Sequence, residues 1–513
     1  MAPLDPPTSA PGAPDATPAT RHVVVIGGGL AGLVAARQVL RERPGTRVTI
    51  LEATDRIGGK LRLERVAGHL VDVGAEAMLA RRPEAVDLVH ELGAEDELVS
   101  PATTAASIWS RGRMHPVPRA TLMGVPADVT GLGGLLTDEE RARLEDEQPW
   151  PEGPLTTDVS VGDYVGTRLG RAVVDRLVEP LLGGVYAGRA DEMSLAATMP
   201  AVWEAATRGD SLRAVAAAAA AARWGGGAPS SAGASPAAAA DSSSGPPSER
   251  PVFAGIRGGI GRLPELLRDD LGDGVDLRTT TIARGLRRRG DGFAVLVGPT
   301  TDEEWIDADA VVLATPPAAA GRLLSALAPG AADALAQIPT ASSAVISLAF
   351  RRDDLPELVG SGFLTPTVEG RLLKGGTFSG NKWAWTGALD PELVFVRVSV
   401  GRAGEEATLQ RSDADLVAAA VAELGEALSS DLTAPVDSHV QRWGGGLPQY
   451  VVGHLERMDR IRTAIDEVPG LEVAGAAYGG VGIPAVIATA TSAATRATAY
   501  LDSSAPTHAR STS

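Results

Sequence analysis

The sequence predicts an α/β protein: a Rossmann-like nucleotide-binding domain, a second domain built on an antiparallel sheet, and an inserted helical domain. Three observations carry this. An apolar, β-branched run from His22 to Ile26 feeds a glycine turn and then a helical pattern, the order strand, turn, helix. Between Ala344 and Val400, the strand-like runs Val345 to Phe350 and Leu393 to Val400 are separated by turns containing Gly and Pro. From Thr137 to Met199, charged and apolar residues recur at helical spacing, with breaks at Pro151, Pro154, Pro180 and Gly183-Gly184.

Taken in chain order, residues 1–20 are rich in Pro, Ala, Thr and Asp and read as a disordered tail, with neither the basic start nor the apolar stretch of a secretory signal. Residues 21–100 form the first part of the nucleotide-binding domain: the strand His22 to Ile26, a helix from Leu33 to Leu40, a second strand Val48 to Leu51, and a helix from Glu84 to Leu98. Residues 101–224 are the mainly helical domain, placed as a lid over the substrate. Residues 225–250 are almost wholly Gly, Ala, Ser and Pro, too little apolar surface to offset their ordering entropy, and are expected to be a disordered insertion. Residues 251–320 return to the nucleotide-binding domain, with strands at Val275 to Leu277, Phe293 to Val297 and Ala310 to Ala314. Residues 321–445 make the substrate-binding domain, with its antiparallel sheet and an amphipathic helix from Leu416 to Leu428. Residues 446–502 close the nucleotide-binding domain through the strand Leu471 to Ala474, a glycine turn and a helix from Ala485. Residues 503–513 are a second disordered tail.

Composition narrows the function classes. The chain has 513 residues, 44% of them apolar, enough for two or three packed cores. Lys plus Arg number 47 against 64 Asp plus Glu, a net charge of −17, which repels nucleic acid and anionic lipid. There is no Cys, so disulfides, iron–sulfur clusters, thiolate zinc sites and a cysteine nucleophile are excluded together. Redox chemistry then needs a bound cofactor. No run approaches the roughly 18 apolar residues of a membrane span, so the expectation is a cytoplasmic protein without a transmembrane segment. The seven His show no ligand spacing, and no metal site is expected.

The motif that carries chemistry is Gly27-Gly28-Gly29-Leu30-Ala31-Gly32, entered from a strand and leaving into a helix. The glycines of this fingerprint allow a tight turn, close backbone approach to a pyrophosphate, and close packing of helix on strand. The pyrophosphate then rests on the helix N-terminus. Twenty residues after Gly32, Glu52 ends the second strand, where a carboxylate accepts hydrogen bonds from ribose hydroxyls. At the far end, Leu471 to Gly475 followed by Tyr478-Gly479-Gly480-Val481-Gly482-Ile483-Pro484 is again strand, glycine turn and helix start, suited to backbone N–H contacts with the same cofactor.

The run Glu52-Ala53-Thr54-Asp55-Arg56-Ile57-Gly58-Gly59-Lys60 resembles the second glycine signature of amine-oxidase-like flavoproteins. That resemblance implies FAD: paired glycines let the backbone approach it, and Arg56 and Lys60 add positive charge near its diphosphate. The segment His69 to Ala77 resembles the element that runs under the isoalloxazine ring in this superfamily, with Gly74 and Ala75 leaving room and Glu76 and Ala77 following. Ile282, Trp443, Val481, Gly482 and Ile483 complete the contacts the resemblance implies.

Further stretches resemble the oxygen-dependent protoporphyrinogen and coproporphyrinogen III oxidases of haem synthesis. These are Pro180 to Gly188 with Glu192 to Leu195, Gly376 to Ser379 with Lys382-Trp383, Leu447-Pro448-Gln449-Tyr450 with Gly453-His454, and Gly480 to Pro484. The acidic, unanchored chain is more similar to the soluble bacterial branch acting on coproporphyrinogen III. The resemblance implies a six-electron oxidation to coproporphyrin III, by hydride transfer to FAD and reoxidation by oxygen to hydrogen peroxide, and a transient contact with a downstream chelatase. The substrate's four propionates need a local cationic rim in an acidic protein. Lys60, Lys374, Lys382, Arg81-Arg82, Arg111, Arg113, Arg119 and Arg371 are its candidates, with Arg82 and Lys374 first as substrate-binding residues. No side chain stands out as a general base. Protoporphyrinogen IX oxidation and an amine oxidase are the alternatives; the amine oxidases commonly frame their flavin with paired aromatics, and Tyr478 stands alone here. A non-catalytic flavin- or porphyrin-binding scaffold is the alternative of a different class.

Overall fold

The computed structural model describes residues 20–224 and 252–504. The tails at 1–20 and 503–513 and the insertion at 225–250, expected to be disordered, lie outside the described residues except at their edges. There the last helix, Ile483–Ser503, runs one residue past the expected boundary.

Five strands form a wholly parallel sheet in the order Val275–Arg278, Arg47–Leu51, His22–Ile26, Ala310–Leu313, Leu471–Val473. The strand His22–Ile26 sits in the centre and reads as an unbroken apolar run because both its faces are covered. Val23 and Val25 point to one core, with the helices Leu30–Glu42, Leu263–Leu271 and Ile483–Ser503. Val24 and Ile26 point to the other, with the helices Pro317–Leu324, Pro329–Ala336 and His454–Asp466. The strand order reverses at the central strand, and ligands of such sheets bind in the crevice beyond the carboxyl ends of the strands flanking that point. The glycine turn Gly27–Gly29 occupies it.

A second sheet has seven strands in the order Asp437–Pro448, Thr340–Arg351, Leu393–Val400, Leu373–Phe378, Gly362–Leu364, Ser107–Ser110, Arg113–Pro116. All contacts are antiparallel except that of Gly362–Leu364 with Ser107–Ser110. Period-2 alternation gives it two unlike faces. Ala344, Ile346, Leu348, Val396, Val398 and Val400 pack on the helix Asp413–Leu428. Ser343 and Ser347, with their cross-strand partners Trp443, His439 and Arg397, make the other face. Two strands of this sheet, Ser107–Ser110 and Arg113–Pro116, come from the stretch 101–224 expected to be mainly helical. Their runs are only four residues each, too short to register against the helical periodicity that follows. From Asp138 onward that stretch is helical, with its own core around Tyr164, Val174, Leu177, Leu182 and Tyr450.

Candidate functional site: two helix ends over a glycine platform

The helix Leu30–Glu42 begins from Gly29, with no side-chain cap and no acidic residue in its first turn. Its first N–H groups, with the positive end of the helix dipole, are therefore open to an anion. The glycines before it are forced. Gly27 has φ +113°, and a Cβ there would sit 2.5 Å from the Ala314 carbonyl oxygen. A Cβ on Gly32 would land on the Gly27 carbonyl oxygen, far inside contact. Gly29 differs: an added Cβ would meet only the Gly59 Cα, at 3.8 Å.

The second glycine signature lies directly on the first. Gly58 N–H donates to Gly28 O at 2.8 Å, and Gly29 and Gly58 pair as an isolated parallel bridge. Arg56 folds onto its own loop, donating to Ile57 O at 3.1 Å and Gly59 O at 2.7 Å. Burial and neighbouring Arg62 push its guanidinium pKa down. Lys60 is exposed and has no ion partner among the described residues. Glu52 is held where the motif requires: its Oε2 accepts from Gly28 N at 2.7 Å, and its Oε1 from Thr54 N and Oγ1 at 2.8 and 2.7 Å. Ala53 beside it is exposed. The backbone N–H groups of Thr280 and Thr281 donate to Thr54 O and Glu52 O, and Ile282, which follows them, is 57% exposed.

The C-terminal turn arrives at the same end. Thr495 and Thr498 hydroxyls donate to the Glu42 carboxylate in the last turn of the first helix, while Ile483 and Val486 share a core with Leu30 and Ala31. The two helices run parallel, and their N-termini open side by side. Gly482, which starts the second, also lacks a side-chain cap, and no acid follows it in the first turn. Val481 packs instead against the core of the helical segment.

The segment Val73–Ala77 runs along Lys60 to Arg62: Val73 N–H donates to Arg62 O at 3.0 Å and Ala75 N–H to Lys60 O at 3.3 Å. A Cβ on Gly74 would collide with the Lys60 carbonyl oxygen. Side chains of the antiparallel sheet grip this segment. Trp443 donates its indole N–H to Val73 O at 3.0 Å, and Arg397 donates to Gly74 O at 2.7 Å and Asp72 O at 3.4 Å. Glu76 follows in the same segment. Its carboxylate accepts from the Trp383 indole at 2.9 Å and lies 3.6 Å from Lys382 and 3.5 Å from Arg397. Burial raises its pKa, but those two cations and the hydrogen bonds outweigh it and hold it below the ordinary value. Asp72 caps a short helical turn through Ile260 and Gly261 N–H, at 3.0 and 2.8 Å, and burial pushes its pKa up to about 7.

The cationic candidates fare unequally. Arg82 is engaged by Glu84, Arg111 by Glu140 and Arg371 by Glu426. Lys374 is buried, its ammonium makes no hydrogen bond or ion pair among the described residues, and it is pushed down to about 8 by burial and then by Arg402, against the opposing pull of Glu405. The structure does not join Arg82 and Lys374 through any shared partner among the described residues.

Sequence reasoning missed Thr315 and Arg397 altogether and assigned no contacts to Tyr478, Tyr450, Gln449 and His454. Thr315, next to the carbonyl that crowds Gly27, has a buried hydroxyl without a partner among the described residues, as does Tyr478 in the C-terminal turn. Arg397 supplies the clamp just described; its signal was a lone charge in the apolar strand Leu393–Val400. Tyr450 stacks on His454, with ring centroids 3.9 Å apart, and donates to Ala476 O at 2.5 Å. Gln449 donates to Tyr186 O at 2.7 Å, so the Pro-Gln-Tyr and Gly-Gly-Val-Tyr-Ala-Gly stretches meet as a joint between the helical segment and the C-terminal turn. Burial and Arg457 push His454 down to about 4, so it is neutral near pH 7.

These residues fit a flavin dinucleotide: two bare helix ends, a glycine cradle, a carboxylate at the end of the second strand and orphaned hydroxyls at its edges. No group of three metal-ligating side chains, and no helix long and apolar enough to cross a membrane, occurs among the described residues.

A model of the family described as flavin containing amine oxidoreductase matches residues 30–498. The coproporphyrinogen III oxidase of Propionibacterium freudenreichii is 37% identical over 506 residues, covering 94% of this chain and 91% of that protein. That of Mycobacterium tuberculosis is 34% identical over 487 residues, covering 94% and 98%. Among solved structures, the "Putative protoporphyrinogen oxidase" of an Exiguobacterium species matches with a TM-score of 0.79 and 28% identity, over 95% of this chain and all of that one.

Proposed function

The chain belongs to the flavin containing amine oxidoreductase family, and from that premise we infer that it is an FAD-dependent oxidase converting coproporphyrinogen III to coproporphyrin III. The observation that carries this is the likeness to coproporphyrinogen III oxidases along nearly the whole chain, helical segment and antiparallel sheet included. A shared nucleotide fold alone would match only the parallel-sheet pieces.

Bound FAD supplies a two-electron acceptor that oxygen regenerates with release of hydrogen peroxide. Each of three cycles would remove a hydride from a meso carbon of the porphyrinogen and one proton; the three protons come from two pyrrole nitrogens and, by tautomerisation, from the fourth meso carbon, so six electrons and six protons leave in all. The chain's own work is positioning. The open N–H groups after Gly29, with Gly28, Gly32 and the facing Gly59, hold the diphosphate, which Arg56 and Lys60 help to neutralise. Glu52 orients the ribose, with Ala53 and Ile282 bordering the adenine side. Gly74, Ala75 and Ala77 form the floor on which the ring lies, and Val481, Gly482 and Ile483 close it from the other end. The polar face of the seven-stranded sheet roofs the macrocycle, and Lys374 offers a desolvated ammonium to one propionate. Glu76 acts through its neighbours, since its carboxylate is taken by Trp383, Lys382 and Arg397. No side chain is assigned as a general base.

Protoporphyrinogen IX oxidation is the second reading, favoured by the name of the Exiguobacterium structure. Purified protein incubated with each porphyrinogen in air, with porphyrin fluorescence followed against the spontaneous blank, separates them. Faster turnover of the four-carboxylate substrate supports the first, faster turnover of the two-carboxylate substrate the second, and no rate above the blank with either rejects both.

A further inference from the structure

Three successive carbonyls of one short segment are tied down by side chains from a different sheet. Arg397 takes Asp72 O and Gly74 O, and Trp443 takes Val73 O between them. Both side chains stand on the same face, opposite Ser347 and Ser343 of the intervening strand Thr340–Arg351. The guanidinium also pairs with Glu76, beside Lys382, and all three groups are well buried: side-chain exposure is 15% for Arg397, 19% for Lys382 and 9% for Glu76. A water-sized cavity of about 20 Å³ lined by Asp72, Glu76, Ser347, Ser379 and Arg397 adjoins them. A cation held this far from water, satisfied by two main-chain oxygens and a carboxylate, spends its donor fork on fixing that backbone. Among the described residues, nothing comparable ties the sheet to the glycine turn Gly27–Gly29.

We infer that Arg397, assisted by Trp443, is a positioning residue that registers the substrate-roofing sheet against the Gly74–Ala75 floor, setting the height of the gap in which hydride transfer takes place. The inference rests on the functional reading above for the identity of what fills the gap, and on the geometry alone for the coupling of roof to floor.

The test uses R397M, which removes charge and fork; R397K, which keeps charge only; and W443F, which removes the indole donor. Three readouts are taken on the full chain: FAD affinity of the apoprotein, visible circular dichroism of the bound flavin, and the rate of flavin reduction at saturating porphyrinogen beside its KM. R397M is expected to change the shape of the flavin dichroism, weaken FAD binding about tenfold or more and slow reduction roughly tenfold to a hundredfold with KM changed less than about threefold. R397K falls between R397M and the native chain, and W443F moves in the same direction by less. Native dichroism and FAD affinity in R397M, whatever its melting temperature, would overturn the inference. If R397M does not accumulate, the same native values in R397K overturn it. The first two readouts need no porphyrinogen, so a native chain that fails to oxidise porphyrinogen refutes the functional reading and leaves this one separately decided.

Discussion

Replacing Gly29 by Ala separates the space the protein needs from the space its cofactor needs. Gly29 has φ −73° and ψ −179°, extended backbone that alanine adopts without strain. The added methyl would meet only the Gly59 Cα at 3.8 Å, an ordinary van der Waals distance. The apoprotein should therefore be as stable as the native one, or more stable by about 0.4–1 kcal/mol through the stiffer unfolded chain. The methyl nevertheless projects between the two glycine signatures, where the diphosphate is placed. Crowding a close backbone approach by one methyl costs about 1–3 kcal/mol, which lowers FAD affinity about 5- to 150-fold. The assay is the melting temperature of flavin-stripped protein, with FAD titrated by its fluorescence quenching. G29A that binds FAD as tightly as the native chain would refute the placement of the cofactor between Gly29 and Gly59. A collapse of apoprotein stability would refute the open space instead.

Three further outcomes follow from the same geometry. G32A puts a methyl onto the Gly27 carbonyl oxygen, so it should lower apoprotein melting temperature and FAD affinity together; loss of FAD alone would contradict the packing role of that glycine. His454 has an ordinary pKa of 6.5 and a folded value of about 4, so the unfolded chain takes up a proton that the folded one refuses. Its contribution is full above pH 6.5 and falls by roughly 3 kcal/mol as pH drops to about 4. H454F should flatten urea midpoints against pH in that window, and an unchanged slope contradicts the buried neutral imidazole. K374M should raise KM for a four-carboxylate porphyrinogen roughly tenfold or more below about pH 8. The native KM should rise as the ammonium is lost above about 8, and an unaltered KM in K374M removes Lys374 from the substrate site.

The nucleotide half of the molecule was legible because its signals are local. His22–Ile26, the glycine turn and Glu52 lie within one βαβ unit, where an apolar strand, three glycines and one carboxylate leave few other folds. The C-terminal turn was legible for the same reason, although its meeting with the first helix depends on the Thr495 and Thr498 contacts to Glu42, which no spacing announces. The antiparallel sheet was legible in its longer strands, Thr340–Arg351 and Leu393–Val400, and hidden in the four-residue strands at 107–116, whose partner Gly362–Leu364 is distant in the chain. Arg397 escaped notice because a lone arginine in a strand has many explanations until its three acceptors are in view. The partners of Glu76 escaped notice for a related reason: its place beside Gly74 is local, whereas Trp383, Lys382 and Arg397, which claim its carboxylate, come from the far half of the sequence.

Anaerobic mixing of the flavin-loaded protein with coproporphyrinogen III tests the central claim most directly, because it isolates the reductive half of the reaction from oxygen. The account predicts that the visible flavin absorbance bleaches as porphyrin absorbance grows, and that admitting air restores the flavin with stoichiometric peroxide. A flavin that stays oxidised with both coproporphyrinogen III and protoporphyrinogen IX, in protein that holds its FAD tightly, would contradict it.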